Sequence, residues 1–169
     1  PEHFERGFGI GAPPDAFFAH GQTWGFAPPS RHRSRQLGYA YIIEVFRTAM
    51  RHAKLLRLDH VMGLERLFWV PAHAEATDGL YVNYPADELY AIALLEAHRA
   101  GATLVGEDLG TVPDSTRNRL ERHGLFGMHV VNFPIEDGHF DEALGPSPKR
   151  FAYLNTHDMV PFAGFCRGD

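Results

Sequence analysis

Apolar and polar side chains alternate with two different periods along the chain from residue 37 onward. Apolar positions recur at helical spacing in three segments, which predicts helices over residues 37–53, 86–99 and 113–122. Four short apolar runs predict buried strands at residues 54–59, 103–107, 128–133 and 151–155. The order is α-β-α-β-α-β-β, with room for one short helix in the connection 134–148. Strands that are separated by helices favour an α/β fold with a parallel sheet.

The segment before residue 37 has a different pattern. Glycine and proline recur there too often for a regular element to persist, so we predict a loop over residues 1–36. This loop is rich in aromatic side chains, among them Phe4, Phe8, Trp24 and Phe26. A structureless loop of this length in a compact domain is usually functional. We find no boundary in the pattern that divides the chain into separate domains.

Composition and charge narrow the class of protein. The chain has 169 residues, a formal net charge of −5 and 44% hydrophobic residues, which is typical of a globular protein and argues against a general nucleic-acid binder. The basic run 31–35 is interpreted as a solvated face. The single cysteine, Cys166, excludes an internal disulfide and fits a reducing compartment, so we expect a cytoplasmic protein. No apolar stretch is long enough for a membrane span.

Polar clusters follow three of the four predicted strands. The residues are Arg57, Asp59 and His60 after the first strand, Glu107 and Asp108 after the second, and His157 and Asp158 after the fourth. Each acid has an ordinary alternative: Asp59 as a helix cap, Glu107 as a surface charge and Asp158 as a turn residue. Because ligands bind at the carboxyl ends of parallel strands, three clusters at equivalent ends favour one shared site.

Paired carboxyl groups at such a site suit glycosidic bond cleavage. One carboxylate attacks or stabilises the sugar while a second, protonated group releases the leaving oxygen. Strand alternation places Arg57 and Asp59 on the same face, where the guanidinium can hold the carboxylate. The alternative for Arg57 is a structural ion pair with any acid at a strand end.

Five segments resemble one family. The runs 56–60, 106–110 and 155–158 resemble the catalytic segments of the 4-alpha-glucanotransferases called amylomaltases, glycoside hydrolase family 77, within the alpha-amylase superfamily. The run 11–15 with 21–25 resembles the family's active-site loop, and the run 68–71 resembles its segment after the nucleophile. The resemblance extends from about residue 11 to 159.

The resemblance implies roles for individual residues. Asp59 would be the nucleophile, Glu107 the acid and then the base, and Asp158 the third carboxylate that stabilises the distorted sugar. Substrate contacts would come from Arg57, His60, His157, Asp15, Gln22, Trp24 and Asp108, with Arg57 orienting Asp59 and Asp108 placed to position Glu107. Trp24 would stack on a glucose ring, and its alternative is ordinary loop packing. Phe17 replaces the aromatic residue that in the family directly follows the aspartate at 15.

The implied activity is a retaining transfer of α-1,4-glucan segments to the 4-hydroxyl of glucose, maltose or a maltooligosaccharide, without a metal or organic cofactor. The alternatives are an alpha-amylase-type hydrolase, a metal- or nucleic-acid-binding module, and an inactive piece of an enzyme. The histidines lack zinc-ligand spacing, which argues against a metal site.

The implied fold is a partial (β/α)8 TIM barrel, about strands four to seven with the preceding loop. Residues 1–169 would then be a fragment of one catalytic domain, with a substrate-covering loop at 1–36 and βα units at 37–169. An eight-stranded barrel takes about 250 residues. We therefore expect an isolated chain of this length to be unstable and inactive.

Overall fold

A computed structural model of the chain describes residues 2–16, 18–131, 135–136, 139–140, 145, 147–157 and 159–168. Phe17 and Asp158, two residues singled out by the sequence, lie outside the described residues. The chain divides into two compact units. The first unit comprises Pro1–Leu56 and Val61–Ala102, and the second comprises Arg57–His60 and Thr103–Asp169.

The first unit contains a four-stranded antiparallel sheet. Its strands lie in the order β2-β1-β4-β5, with bounds Phe8–Ala12 (β1), Gln22–Thr23 (β2), Arg66–Pro71 (β4) and Leu80–Asn83 (β5). Phe68 and Val70 of β4 pack with Ala76 in a buried cluster. At Gly11, which lies opposite Phe68, a Cβ atom would overlap the Gln22 carbonyl group, so only glycine allows this approach of β1 and β2.

This sheet corrects the prediction of a loop over residues 1–36. Glycine and proline interrupt that segment, but Phe8–Ala12 pairs with β4, about sixty residues further along the chain. A helix, α1 (Arg31–Gln36), follows in the same segment, and the Ser30 hydroxyl accepts a hydrogen bond of 3.3 Å from the Arg33 N–H to cap it. The strands β4 and β5 were likewise not predicted.

Two longer helices also belong to the first unit, beside two short 3-10 helices at Val61–Leu64 and Ala76–Asp78. The two longer helices are α2 (Ala40–His52) and α3 (Ala86–Ala100), in agreement with the helices predicted at 37–53 and 86–99. Gly101 ends α3 in the left-handed conformation, with φ +60°. Arg47 of α2 forms an ion pair with the buried Glu96 of α3, and this hydrogen bond, with a second from Arg99, lowers the pKa of Glu96 despite its burial.

The second unit contains the strand ends that carry the acids. Here β3 (Leu55–Leu58), which begins in the first unit, pairs with β6 (Thr103–Gly106), and β7 (Gly127–Val130) pairs in parallel with β10 (Arg150–Tyr153). A single parallel bridge joins Val105 to Phe126, immediately before β7. The four strands correspond to the four predicted apolar runs.

The remaining elements of the second unit are α4 (Asp114–His123), which was predicted, and three short ones. A hairpin of β8 (Ile135–Glu136) and β9 (His139–Phe140) lies in the connection for which a short helix was considered. The helix α5 (Phe162–Phe165) is the last regular element of the described residues. The chain is therefore mixed α/β as predicted, but with an antiparallel sheet that the expectation of a purely parallel arrangement did not include. Among the described helices, none combines the length and hydropathy that a membrane span requires.

Candidate active site

Asp59 lies directly after β3 and presents its carboxylate to solvent. Arg57, two residues earlier, donates a hydrogen bond of 2.7 Å from Nη1 to Asp59 Oδ1. The Arg57 Nε group contacts Met128 Sδ of β7 at 3.3 Å, so the guanidinium is held from a second strand. The side chain of Asp59 is 76% exposed. The carboxylate is thus oriented by one cation and open to a substrate.

Glu107 lies directly after β6, and main-chain N–H groups hold its carboxylate, whereas an arginine side chain holds that of Asp59. Its N–H donates to the Leu58 carbonyl oxygen at 2.9 Å, which extends the pairing of β3 and β6 by one residue. Its carboxylate accepts two main-chain hydrogen bonds of 2.9 Å, from the His60 N–H to Oε2 and from the Leu109 N–H to Oε1. Both oxygens of the Glu107 carboxylate are therefore fixed by main-chain groups, and neither of these two hydrogen bonds comes from a charged side chain.

The pairing of β3 with β6 places Asp59 and Glu107 at neighbouring strand ends, and a hydrogen bond from His60 links the two ends. His60 follows Asp59 directly and adopts a φ of +46°, in the left-handed region that non-glycine residues rarely occupy. This turn carries the His60 N–H to the Glu107 carboxylate. Local strain of this kind persists where surrounding contacts hold it, and it is concentrated at functional sites.

Asp108, the neighbour of Glu107, faces the protein interior. Its carboxylate is 1% exposed and forms an ion pair with Arg150 Nη1. It also accepts a hydrogen bond of 2.9 Å from the Met128 N–H, and Arg117 Nε lies 4.0 Å away. The sequence analysis predicts that Asp108 contacts the substrate or positions Glu107. The burial of the Asp108 carboxylate favours the second of these roles.

The cluster after β10 is described in part. His157 is exposed and lies in a turn in which the Asn155 Nδ2 group donates to the Val160 carbonyl oxygen at 3.0 Å. Asp158 lies outside the described residues. Of the three predicted catalytic carboxylates, the structure describes Asp59 and Glu107, which directly follow the paired strands β3 and β6.

The predicted acceptor residues all lie in the first unit. The Trp24 indole Nε1 donates a hydrogen bond of 3.1 Å to Gln22 Oε1, and the Trp24 main-chain N–H donates to the Ile10 carbonyl oxygen at 2.8 Å. These contacts fix the half-buried indole beside the hairpin of β1 and β2. Asp15 is exposed, and its Oδ1 accepts a hydrogen bond of 2.6 Å from the Phe18 N–H, which closes a turn.

Two residues near the site were not found from the sequence. Arg150 begins β10 and Gly127 begins β7, and the two lie opposite each other in the parallel register. A charged residue at the start of a strand normally indicates a solvated edge, so the pattern gives no signal for Arg150. Within the described ranges, no group of three or more His, Cys, Asp or Glu side chains could hold a metal ion.

Comparisons with known proteins point to one family. The family described as 4-alpha-glucanotransferase matches residues 1–169. The chain is 39% identical over 160 residues to a 4-alpha-glucanotransferase of Haemophilus influenzae, a match that covers 94% of this chain and 23% of the relative. It is 40% identical over 170 residues to a 4-alpha-glucanotransferase of Mycobacterium bovis, with 97% of this chain and 23% of the relative covered.

A solved structure gives the same result. The crystal structure of amylomaltase from Corynebacterium glutamicum superposes with a TM-score of 0.88 at 32% identity, covering 99% of this chain and 24% of that one. The chain spans about a quarter of the length of each of these three relatives.

Proposed function

We propose that the protein transfers a segment of an α-1,4-glucan to the 4-hydroxyl of an acceptor sugar, because the chain belongs to the 4-alpha-glucanotransferase family. The observation that carries the proposal is the hydrogen bond from the His60 N–H to the Glu107 carboxylate. It links the ends of the paired strands that carry Asp59 and Glu107, and a retaining reaction uses two carboxyl groups that flank the scissile bond. The named relatives support α-1,4-glucans as the substrate class.

The proposed reaction is a double displacement. Asp59 attacks the anomeric carbon while Glu107 protonates the departing glycosidic oxygen, which leaves a covalent glycosyl-enzyme. An acceptor then enters, Glu107 removes the proton from its 4-hydroxyl, and that oxygen displaces Asp59. The exposed carboxylate of Asp59 suits the attacking group. The two N–H donors on Glu107 suit a group that must stay in place through both steps.

Further roles follow from the residues around the two acids. We propose that Arg57 orients Asp59, which its 2.7 Å hydrogen bond supports. His60 and His157 are proposed to bind sugar hydroxyls, and Asp158 to stabilise the distorted sugar as the third carboxylate. Asp108 is proposed to position Glu107 from the protein interior.

The aromatic N-terminal segment is proposed to bind the acceptor. Trp24 offers an apolar ring to the C–H face of a glucose unit, and its bond to Gln22 fixes that ring. Asp15 and Gln22 are proposed as polar contacts of the glucan, and residues 1–36 as the segment that covers it. A covering segment favours transfer over hydrolysis, because it keeps water from the covalent intermediate.

The proposed setting is a catalytic (β/α)8 barrel. The strands β3, β6, β7 and β10 would be its strands four to seven, so that residues 1–169 are a fragment of one catalytic domain with βα units at 37–169. The parallel pairing of β7 with β10 and the parallel bridge from Val105 to Phe126 support this. We also propose a cytoplasmic location, with which the exposed free thiol of Cys166 is compatible.

Incubation of the full-length protein with maltotriose tests the proposed function. A transferase produces glucose together with a ladder of longer glucans, because the segments that it removes are added to other chains. A hydrolase produces only shorter products. Chromatography that shows glucose and maltose alone would overturn the proposal in favour of an alpha-amylase-type hydrolase.

A further inference from the structure

An ion pair in the second unit links the start of β10 to the segment that follows β6. Arg150 Nη1 donates to Asp108 Oδ2 and, at 3.0 Å, to the Met128 carbonyl oxygen. The other oxygen of Asp108 accepts the Met128 N–H at 2.9 Å. One side-chain pair therefore ties together β10, β7 and the residue next to Glu107.

Gly127 provides the space for this pair. It lies opposite Arg150 in the parallel register. A Cβ atom at Gly127 would lie 2.5 Å from Arg150 Nη1 and 3.0 Å from Asp108 Oδ2, both well inside normal contact distance. An alanine at this position would force the guanidinium or the carboxylate to move, even with both ionic partners present.

The pair fixes the backbone on which the Glu107 carboxylate depends. Glu107 Oε1 accepts the Leu109 N–H, and Asp108 is the residue between them. The contacts that hold the Asp108 side chain therefore anchor the residue directly before the Leu109 N–H. A shift of Asp108 moves the Leu109 N–H and releases one of the two main-chain bonds that hold the Glu107 carboxylate.

We propose that Arg150 is a positioning residue for Glu107, acting through Asp108 and the Leu109 N–H, and that Gly127 is required to accommodate it. The inference rests on the proposed function, in which Glu107 transfers a proton in both steps. The hydrogen bond on Asp59 comes from Arg57 and not from Arg150, and Arg57 meets this arrangement only through its contact with the Met128 side chain. Loss of Arg150 is therefore expected to impair proton transfer by Glu107 more than nucleophilic attack by Asp59.

The test compares substrates that need proton transfer with substrates that do not. Full-length protein and the variants Arg150→Met, Arg150→Lys and Gly127→Ala are assayed with maltotriose, and separately with α-maltosyl fluoride in the presence of azide. Fluoride leaves the anomeric carbon as an anion that needs no proton, and azide displaces Asp59 without having to lose a proton.

With maltotriose, kcat of Arg150→Met should fall about tenfold to a hundredfold, which is the loss typical of a displaced acid–base group.

With the fluoride donor and azide, the same variant should lose less than about threefold, since neither step then depends on Glu107. Gly127→Ala should show the same dependence on the donor, and Arg150→Lys should recover part of the maltotriose activity because it keeps the charge. KM for maltotriose should change little, since the Arg150 guanidinium bonds Asp108 and the Met128 carbonyl oxygen and the proposal gives it no part in binding the glucan.

Two control variants separate positioning from general destabilisation. Lys149→Met removes the neighbouring cation, whose partner is the exposed Glu121, and should leave both activities unchanged. Leu120→Ala removes buried contacts of α4 and should lower the melting temperature with equal effects on the two donors.

Equal losses with both donors in Arg150→Met, Arg150→Lys and Gly127→Ala would overturn the inference, as would full maltotriose activity in Arg150→Met. If the unmodified protein fails to elongate maltotriose, the proposed function itself is wrong, and the two failures are thereby distinguished.

Discussion

Two Arg–Asp pairs lie at the ends of neighbouring strands in the second unit, and their surroundings differ. Arg57 and Asp59 form a pair whose carboxylate is exposed, whereas Arg150 and Asp108 form one whose carboxylate is enclosed. The enclosed carboxylate also accepts a main-chain N–H from β7. The same two residue types thus place one carboxylate in contact with solvent and enclose the other, and this difference in burial underlies the different roles that we propose for them.

The first prediction concerns the exposed pair and has the largest expected effect. Asp59→Asn should lower kcat for transfer from maltotriose by at least about 10⁴-fold, because the amide cannot form the covalent intermediate. The melting temperature should stay close to that of the unmodified protein, since the side chain is exposed and surface substitutions usually change stability by about 0.5 kcal/mol or less. Product analysis with maltotriose and thermal unfolding measure the two quantities. Retained transfer activity would remove Asp59 from the role of nucleophile.

The second prediction concerns the enclosed pair. Asp108→Ala should lower the free energy of unfolding by about 3–5 kcal/mol, because it leaves the Arg150 guanidinium partly buried without its partner. Asp59→Ala is the matched variant, and it should cost at most about 1 kcal/mol because exposed ion pairs contribute little. Urea unfolding of the full-length variants measures both. Equal losses in the two variants would contradict the distinction between the pairs.

The difference between the two pairs could not be read from the sequence, although much of the fold could. Helices α2, α3 and α4 and the four strands of the second unit were predicted because their signals are local: apolar spacing, Pro113 at a helix start, and Gly101 and Gly124 at helix ends. The pairing of β1 with β4 was missed because it joins distant segments, and β1 is interrupted by glycine.

The candidate site was predicted to a similar extent. The strand-end positions of Asp59 and Glu107 followed from the pattern, since a strand that ends in an acid is a local feature. The left-handed turn at His60, which carries its N–H to Glu107, could not be predicted because non-glycine residues adopt this conformation uncommonly and no local pattern marks it here. Arg150 could not be found because its partner is 42 residues away and its own position is that of an ordinary strand edge.

The third prediction extends the comparison to two glutamates and has the smallest expected effect. A hydrogen bond from Lys149 lowers the pKa of the exposed Glu121, and a hydrogen bond from Arg47, with another from Arg99, lowers the pKa of the buried Glu96. A carboxyl group whose folded pKa is lowered stabilises the fold above its unfolded pKa, and this stabilisation is lost as the pH falls through the folded value. Both contributions should therefore be present at pH 7 and disappear below pH 4.5, the ordinary value for these groups.

The two glutamates should respond differently to salt. Salt at 1 M reduces the screening length to about 3 Å, which weakens exposed pairs far more than buried ones. Glu121→Gln should lower the urea midpoint at pH 7 only slightly in dilute buffer and not at all in 1 M salt. Glu96→Gln should lower it in both, because its partners act on a carboxylate that is removed from solvent. A loss in Glu121→Gln that persists unchanged in 1 M salt would show that exposure does not decide what an ion pair contributes here.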